Sequence, residues 1–194
     1  MKSKEKSPRN YFDIEKNLEV AINSGHIIKL ISYSMSDDVE KKLDSIIDSI
    51  LIKYGKEDLK SMIYTCVKEL AINGTKANLK RLFFEEKGLN ILEEKDYEKG
   101  VQLYKSVMDE KNAMQYGLVA KDHGLFVRIS FYHDEDGLRI EVMNNTLMTM
   151  QEERRLREKL AKTMTYNDLI EFYMENADNT EGAGMGMALI ITLI

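Results

Sequence analysis

The sequence contains one cysteine, one proline and no tryptophan among its 194 residues. A single cysteine, Cys66, excludes an intrachain disulfide and a cysteine-based zinc site. No uncharged apolar run approaches the roughly 18 residues that a membrane span needs. The N-terminal segment MKSKEKSPRN is polar and lacks the apolar stretch of a signal peptide. We therefore expect a cytoplasmic protein without a membrane span.

Charge of neither sign dominates the chain. The 28 Lys and Arg residues nearly balance the 33 Asp and Glu residues, which gives a net charge of −5. This mild acidity argues against a nonspecific nucleic-acid binder, so no nucleic-acid partner is expected. The hydrophobic content of 43% is enough for a core in one globular domain.

Helix-like and strand-like patterns alternate along the chain. Apolar residues recur at helical spacing in three segments, residues 11–22, 39–54 and 59–84. Gly55 is expected to end the second helix, and Asp58 is expected to cap the third. Residues 26–35 are rich in β-branched and aromatic side chains and are typical of a strand.

A hairpin is predicted over residues 125–143, which alternate around Asp136 and Gly137. Grouped helices and a hairpin predict an α+β fold, a two-layer sandwich in which helices cover one face of a mixed, mostly antiparallel sheet. Residues 1–25 are predicted to form a tail and an amphipathic helix, and residues 26–194 are predicted to form the domain.

Residues 85–117 contain two charged stretches with weak helical periodicity, and this segment is either helical or a mobile insertion. Thr149 and Glu152 match a capping box that opens a charged helix, and a further helix is expected at 165–175. The chain stops within an apolar run, residues 188–194.

One face of the third helix carries groups suited to nucleotide chemistry. Its members follow the spacing i, i+4, i+7 and i+11, namely Glu69, Asn73, Lys76 and Lys80. The Asn73 amide oxygen is a suitable ligand for Mg²⁺, and the Glu69 carboxylate can orient or deprotonate a nucleophile. The lysines can balance the negative charge of phosphates. An ordinary solvated face has the same composition, and the helix alone favours that interpretation.

Two further motifs point in the same direction. A predicted loop contains Gly182, Gly184 and Gly186 at alternate positions. Such glycines let backbone N–H groups approach a phosphate closely, although a flexible hinge has the same composition. Asn144 and Asn145 end the second hairpin strand, where an amide can bond a heterocycle edge or simply build a turn.

Together these motifs resemble the GHKL superfamily of ATP-binding domains, nearest to the anti-sigma-factor serine kinases and the sensor histidine kinases. The segment ELAINGTKAN, residues 69–78, is similar to the family's N box, Glu-x-x-x-Asn-x-x-Lys. The segment EGAGMGMAL, residues 181–189, is similar to its second glycine box, with Met replacing Leu twice. The resemblance covers residues 26–194 and implies a Bergerat-type fold. Further strands normally follow this box in the family, so one expectation is that the domain is C-terminally incomplete.

The resemblance implies ATP and Mg²⁺ as cofactors. Asn73 corresponds to the metal ligand, Glu69 to the catalytic carboxylate and Lys76 to a phosphate-side base. The adenine contact falls on Asn144 or Asn145, the triphosphate cradle on the three glycines, and the ATP lid on residues 146–181. The first glycine box, usually Asp-x-Gly-x-Gly, is altered, since Asn replaces its aspartate and its glycines are missing.

The histidines bear on the type of kinase. None of the three lies where a phosphoacceptor helix is expected, because His26, His123 and His133 fall in strands or turns. The resemblance therefore implies a signalling kinase that acts on a regulatory protein partner in trans. The alternative is a non-catalytic interaction module with a degenerate nucleotide pocket, so the sequence leaves enzymatic activity open. The sequence also leaves open whether the protein forms a homodimer.

Overall fold

The computed structural model describes residues 11–163. The expected helix at 165–175, the second glycine box and the apolar run at 188–194 lie outside these residues. The described elements are α1 (Tyr11–Asn23), β1 (Ile28–Ser32), α2 (Asp37–Tyr54), α3 (Lys60–Glu86), α4 (Glu94–Val107), α5 (Glu110–Asp122), β2 (Val127–His133), β3 (Leu138–Asn144) and α6 (Met150–Thr163). This content confirms the predicted α+β class.

The three strands form an antiparallel sheet in the order β1-β2-β3. Leu30 of β1 is opposite Ile129 of β2, which in turn is opposite Val142 of β3. The predicted hairpin is confirmed, and its turn is held by Asp134, whose Oδ1 accepts hydrogen bonds from the N–H groups of Asp136 and Gly137. Period-2 alternation directs one apolar face of all three strands into the same core.

Helix α2 supplies the largest share of that core. Its buried stripe recurs at intervals of three and four residues, at Leu43, Ile46, Ile47, Ile50 and Leu51. Gly55 ends the helix as predicted, with φ of 62°, in the left-handed region that favours glycine.

The predicted start of the third helix is wrong. A short 3₁₀ turn, Glu57–Leu59, precedes α3, so Asp58 lies inside that turn and Leu59 occupies the N-cap position. The tighter turn uses a hydrogen bond from the Leu59 N–H to the Lys56 carbonyl and moves the α-helix start to Lys60.

The ambiguous segment 85–117 contains helix α4 and most of α5. These helices pack on the C-terminal half of α3 and enclose a second apolar cluster. Its buried members are Leu79, Leu82, Phe83, Phe84, Tyr97, Tyr104 and Ala120. Between residues 11 and 163, no helix has the length and apolar character needed to cross a membrane.

Candidate functional site

A cavity of about 550 Å³ lies between α3, α4, the end of β3 and α6. Its apolar and aromatic lining comprises Leu70, Ala77, Tyr97, Val101, Tyr104, Met108, Val142, Met148 and Leu156. Its polar lining includes Asn73, Asn144 and Thr146. The cavity therefore combines a broad apolar wall with polar groups, as ligand pockets commonly do.

Asn73 contributes an unsatisfied acceptor to this region. Its Oδ1 is buried and makes no hydrogen bond to any of the described residues. An orphaned buried acceptor is costly unless a ligand or an ion satisfies it. Asn73 therefore fits the donor set of a hard cation such as Mg²⁺, which prefers oxygen ligands.

Gly74 allows α3 to approach the end of the sheet at this point. A Cβ added to Gly74 would lie 3.2 Å from Val127 Cγ2 and 3.4 Å from Asn144 Cβ, both tight contacts. The small residue after Asn73 thus brings the polar face of α3 beside the end of β3, where Asn144 lies.

The amide of Asn144 is held in one orientation. Its Nδ2 donates hydrogen bonds to Thr146 Oγ1 at 2.8 Å and to Asn78 Oδ1 at 3.3 Å. The Thr146 hydroxyl in turn donates to Asn78 Oδ1 at 2.9 Å, and Asn78 is only 2% exposed. The amide nitrogen is used within the protein, so Oδ1 is the polar atom that Asn144 offers to a ligand.

Asn145 has a different role. Its Oδ1 accepts a hydrogen bond from the Phe126 N–H at 2.8 Å, and its Nδ2 donates to the Gly124 carbonyl at 2.8 Å. These bonds fasten the end of β3 to the segment that leads into β2. Asn144, and not Asn145, is among the residues that line the cavity.

The cavity lining is strongly cationic, although the whole chain is acidic. Its basic members are Lys76, Lys80, Arg81, Lys105 and Arg155. Among the described residues, Glu152 is the one carboxylate in the lining. Such an excess of positive charge in a concave, partly desolvated site favours anionic ligands.

Glu152 is held by two of these cations. Arg81 Nη1 lies 2.7 Å and Lys80 Nζ 3.1 Å from Glu152 Oε1, and the Glu152 side chain is 12% exposed. Burial alone would raise its pKa, but the hydrogen bonds from Arg81, the charge of Lys80 and the N–H of Thr149 lower the pKa to about 2. Glu152 is therefore ionised at neutral pH.

The predicted capping box at the start of α6 is confirmed. The Glu152 N–H donates to Thr149 Oγ1 at 3.2 Å, and the Thr149 N–H donates to Glu152 Oε2 at 3.0 Å. Arg81 also donates to the Leu147 carbonyl at 2.7 Å. The beginning of α6 is thus attached directly to α3.

The remaining sequence-predicted residues are placed as follows. Lys76 is exposed at the cavity, whereas Glu69 is half-buried one helical turn before Asn73 and is not among the lining residues. Gly182, Gly184 and Gly186 lie outside the described residues.

Sequence reasoning missed the wall that α4 contributes and the basic groups beyond Lys76 and Lys80. Tyr97, Val101, Tyr104 and Met108 recur at helical spacing, a signal present in the sequence but without an indication of the surface they contact.

Comparison with known proteins adds one relative. No family model matches the chain, and no solved structure matches it. An uncharacterized protein of Treponema pallidum (strain Nichols) is 32% identical over 182 residues, which are 94% of this chain. The chain spans about a third of the length of this relative, 35%. The similarity thus extends over nearly the whole chain.

Proposed function

We propose that the chain is an ATP-binding and Mg²⁺-binding domain of the histidine kinase-like type, with a Bergerat-type sandwich fold. The observation that carries the proposal is the buried Oδ1 of Asn73, which has no hydrogen-bond partner among residues 11–163 and lies beside a cationic cavity of about 550 Å³. That volume lies within the range of about 300–1,000 Å³ for small-molecule sites. The similarity of residues 69–78 to the N box points to the same ligand.

The two kinds of lining suit the two ends of a nucleotide. The apolar wall from α4 and β3 suits the base, and Asn144 Oδ1 suits the exocyclic amino group of adenine. Lys76 and the neighbouring cations suit the phosphates. The neutral Asn144 amide loses the charge assistance that an aspartate would supply, so we expect binding in the micromolar to millimolar range.

Asn73 is the residue that would hold Mg²⁺. A carboxamide oxygen is a suitable ligand, because Mg²⁺ commonly takes one or two protein oxygens and completes its shell with phosphate and water. When bound, the ion supplies charge neutralisation at the phosphates. The protein's own part is to position the phosphates with lysines and arginines and to exclude water with the α4 wall.

For catalysis, Glu69 would orient or deprotonate an acceptor group on a partner protein, in a cytoplasmic signalling pathway. Transfer to that acceptor is in line with the absence of a histidine from the helical positions where autophosphorylation would need one. The position of Glu69 outside the cavity lining favours a second candidate, a non-catalytic module in which the pocket binds nucleotide weakly or not at all and the domain acts by binding its partner.

Calorimetric titration with ATP, with and without Mg²⁺, tests the proposal. Wild type should bind Mg·ATP, and Asn73→Ala should lose the Mg²⁺ dependence. The matched control is Asn17→Ala, which makes the same change at an exposed position of α1 outside the cavity lining. Absence of binding by wild type at millimolar Mg·ATP would remove the nucleotide proposal.

If wild type binds, incubation with labelled ATP and a Glu69→Gln variant separates the two candidates. A kinase or ATPase loses phosphate transfer or hydrolysis with Glu69→Gln but retains binding. An interaction module shows neither reaction in wild type.

A further inference from the structure

The carboxylate of Glu152 lies where the cavity concentrates positive charge. It accepts hydrogen bonds from Arg81 and Lys80, and all three side chains are largely buried, with exposures of 12%, 17% and 20% for Glu152, Arg81 and Lys80. A guanidinium and an ammonium that converge on two oxygens form the geometry that binds carboxylates and phosphates. The pair is therefore arranged as an anion site, and the protein's own side chain fills it.

Glu152 also anchors the first turn of α6 through its reciprocal bonds with Thr149. Other contacts hold α6 independently of this carboxylate. Gln151 Nε2 donates to the Leu92 carbonyl at 2.7 Å, and the Arg155 guanidinium lies 4.6 Å from the centre of the Tyr97 ring. Release of Glu152 would thus loosen the start of α6 without detaching the whole helix.

A phosphate group can replace Glu152 more readily than it can enter beside it. Anions that enter while Glu152 remains would meet a buried negative charge, whereas exchange keeps Lys80 and Arg81 paired throughout. A polyphosphate is also within the same lining as Lys76 and Arg155, two further cations. The exchange therefore favours a ligand with several negative charges over a single carboxylate.

We propose that Lys80 and Arg81 form a phosphate-binding subsite that Glu152 occupies in the ligand-free protein, and that an entering polyphosphate displaces Glu152 and loosens the first turn of α6. For ATP this inference rests on the proposed function. For inorganic pyrophosphate it stands on the Lys80, Arg81 and Glu152 cluster alone. Glu152 then acts as an internal competitor that couples ligand binding to the start of the predicted lid.

Affinity for pyrophosphate provides the first test. Glu152→Gln removes the competing charge and should bind pyrophosphate about tenfold more tightly than wild type, because charged hydrogen bonds to Arg81 become available to the ligand. Glu153→Gln is the matched control, since Glu153 is the next residue of α6 but its carboxylate pairs with Arg157 at the surface and does not line the cavity. Its affinity should equal that of wild type. Equal or weaker binding by Glu152→Gln would overturn the inference.

The second test uses wild type and does not depend on how well a variant folds. Hydrogen–deuterium exchange of the peptide that covers residues 149–156 should become faster when pyrophosphate or Mg·ATP is added. A merely structural Glu152 predicts the opposite, because a ligand bound beside an intact ion pair protects the helix. Slower or unchanged exchange at saturating ligand would contradict displacement.

The two probes separate failure of this inference from failure of the proposed function. Tighter pyrophosphate binding by Glu152→Gln without binding of Mg·ATP to either protein supports the subsite and removes the nucleotide proposal. If wild type binds Mg·ATP and Glu152→Gln binds it no more tightly, the nucleotide proposal is supported and the displacement of Glu152 is contradicted. If neither protein binds either probe, both proposals fail.

Discussion

Gly100 of α4 provides a sharp test of how the cavity wall is built. A Cβ added at Gly100 would lie 2.6 and 2.7 Å from two ring carbons of Phe84, and closer still to Cζ. Phe84 is 2% exposed and packs beside Tyr97, so its ring has little room to move. Overpacking of this kind costs about 1–3 kcal/mol, and we take the upper end because three ring atoms are involved. Alanine recovers about 1 kcal/mol of helix propensity, which leaves a net loss of about 2 kcal/mol.

Urea unfolding followed by circular dichroism measures this loss. Gly137→Ala adds a methyl group where nothing lies within 4 Å, and it should change the free energy of unfolding by less than about 0.5 kcal/mol. Combining Gly100→Ala with Phe84→Leu should be less destabilising than the sum of the two single changes. A Gly100→Ala variant as stable as wild type would refute the packing of α4 on α3.

Three further predictions concern the hydrogen-bond networks. Burial lowers the pKa of His133, so on acidification the unfolded chain takes up this proton before the folded protein does. The free energy of unfolding should therefore fall as the pH drops below about 6.5. Urea titrations at several pH values should show this slope in wild type and its loss in His133→Gln. Thr149→Ala should cost about 1 kcal/mol in the same assay by removing the cap of α6, whereas Thr149→Ser should cost less. Thr146→Val should reduce the preference for ATP over ITP in competition titrations, because the amide of Asn144 loses a partner that orients it. Thr146→Ser should retain the preference. An unchanged preference in the valine variant would contradict this role of Thr146.

Local sequence signals were sufficient for several elements. The stripe that ends at Gly55 predicted α2 because both the stripe and its cap are set within the helix itself. The Asp-Gly turn predicted the β2 and β3 hairpin for the same reason, since a short turn fixes the register of its two strands. The capping box of Thr149 and Glu152 spans only four residues and was equally predictable.

Long-range contacts account for what the sequence did not reveal. Arg81 and Glu152 are separated by 71 positions, so the capping role of Glu152 was visible and its ion pair was not. Tyr97, Gly100 and Tyr104 lie at helical spacing, but their pairing with the second half of α3 depends on tertiary packing. Likewise, Asn144 and Asn145 are indistinguishable as neighbours in sequence, and only their different partners separate a cavity residue from a turn residue.

We propose that Asn73 and Asn144 lie at one Mg·ATP site. Paramagnetic line broadening by Mn²⁺ in the presence of ATP, observed in amide spectra of the isotope-labelled protein, tests it most directly. We predict broadening that is strongest around residues 72–77 of α3, that requires ATP, and that Asn73→Ala abolishes. Broadening confined to other regions, or none at α3 in the presence of millimolar ATP, would contradict the proposed site.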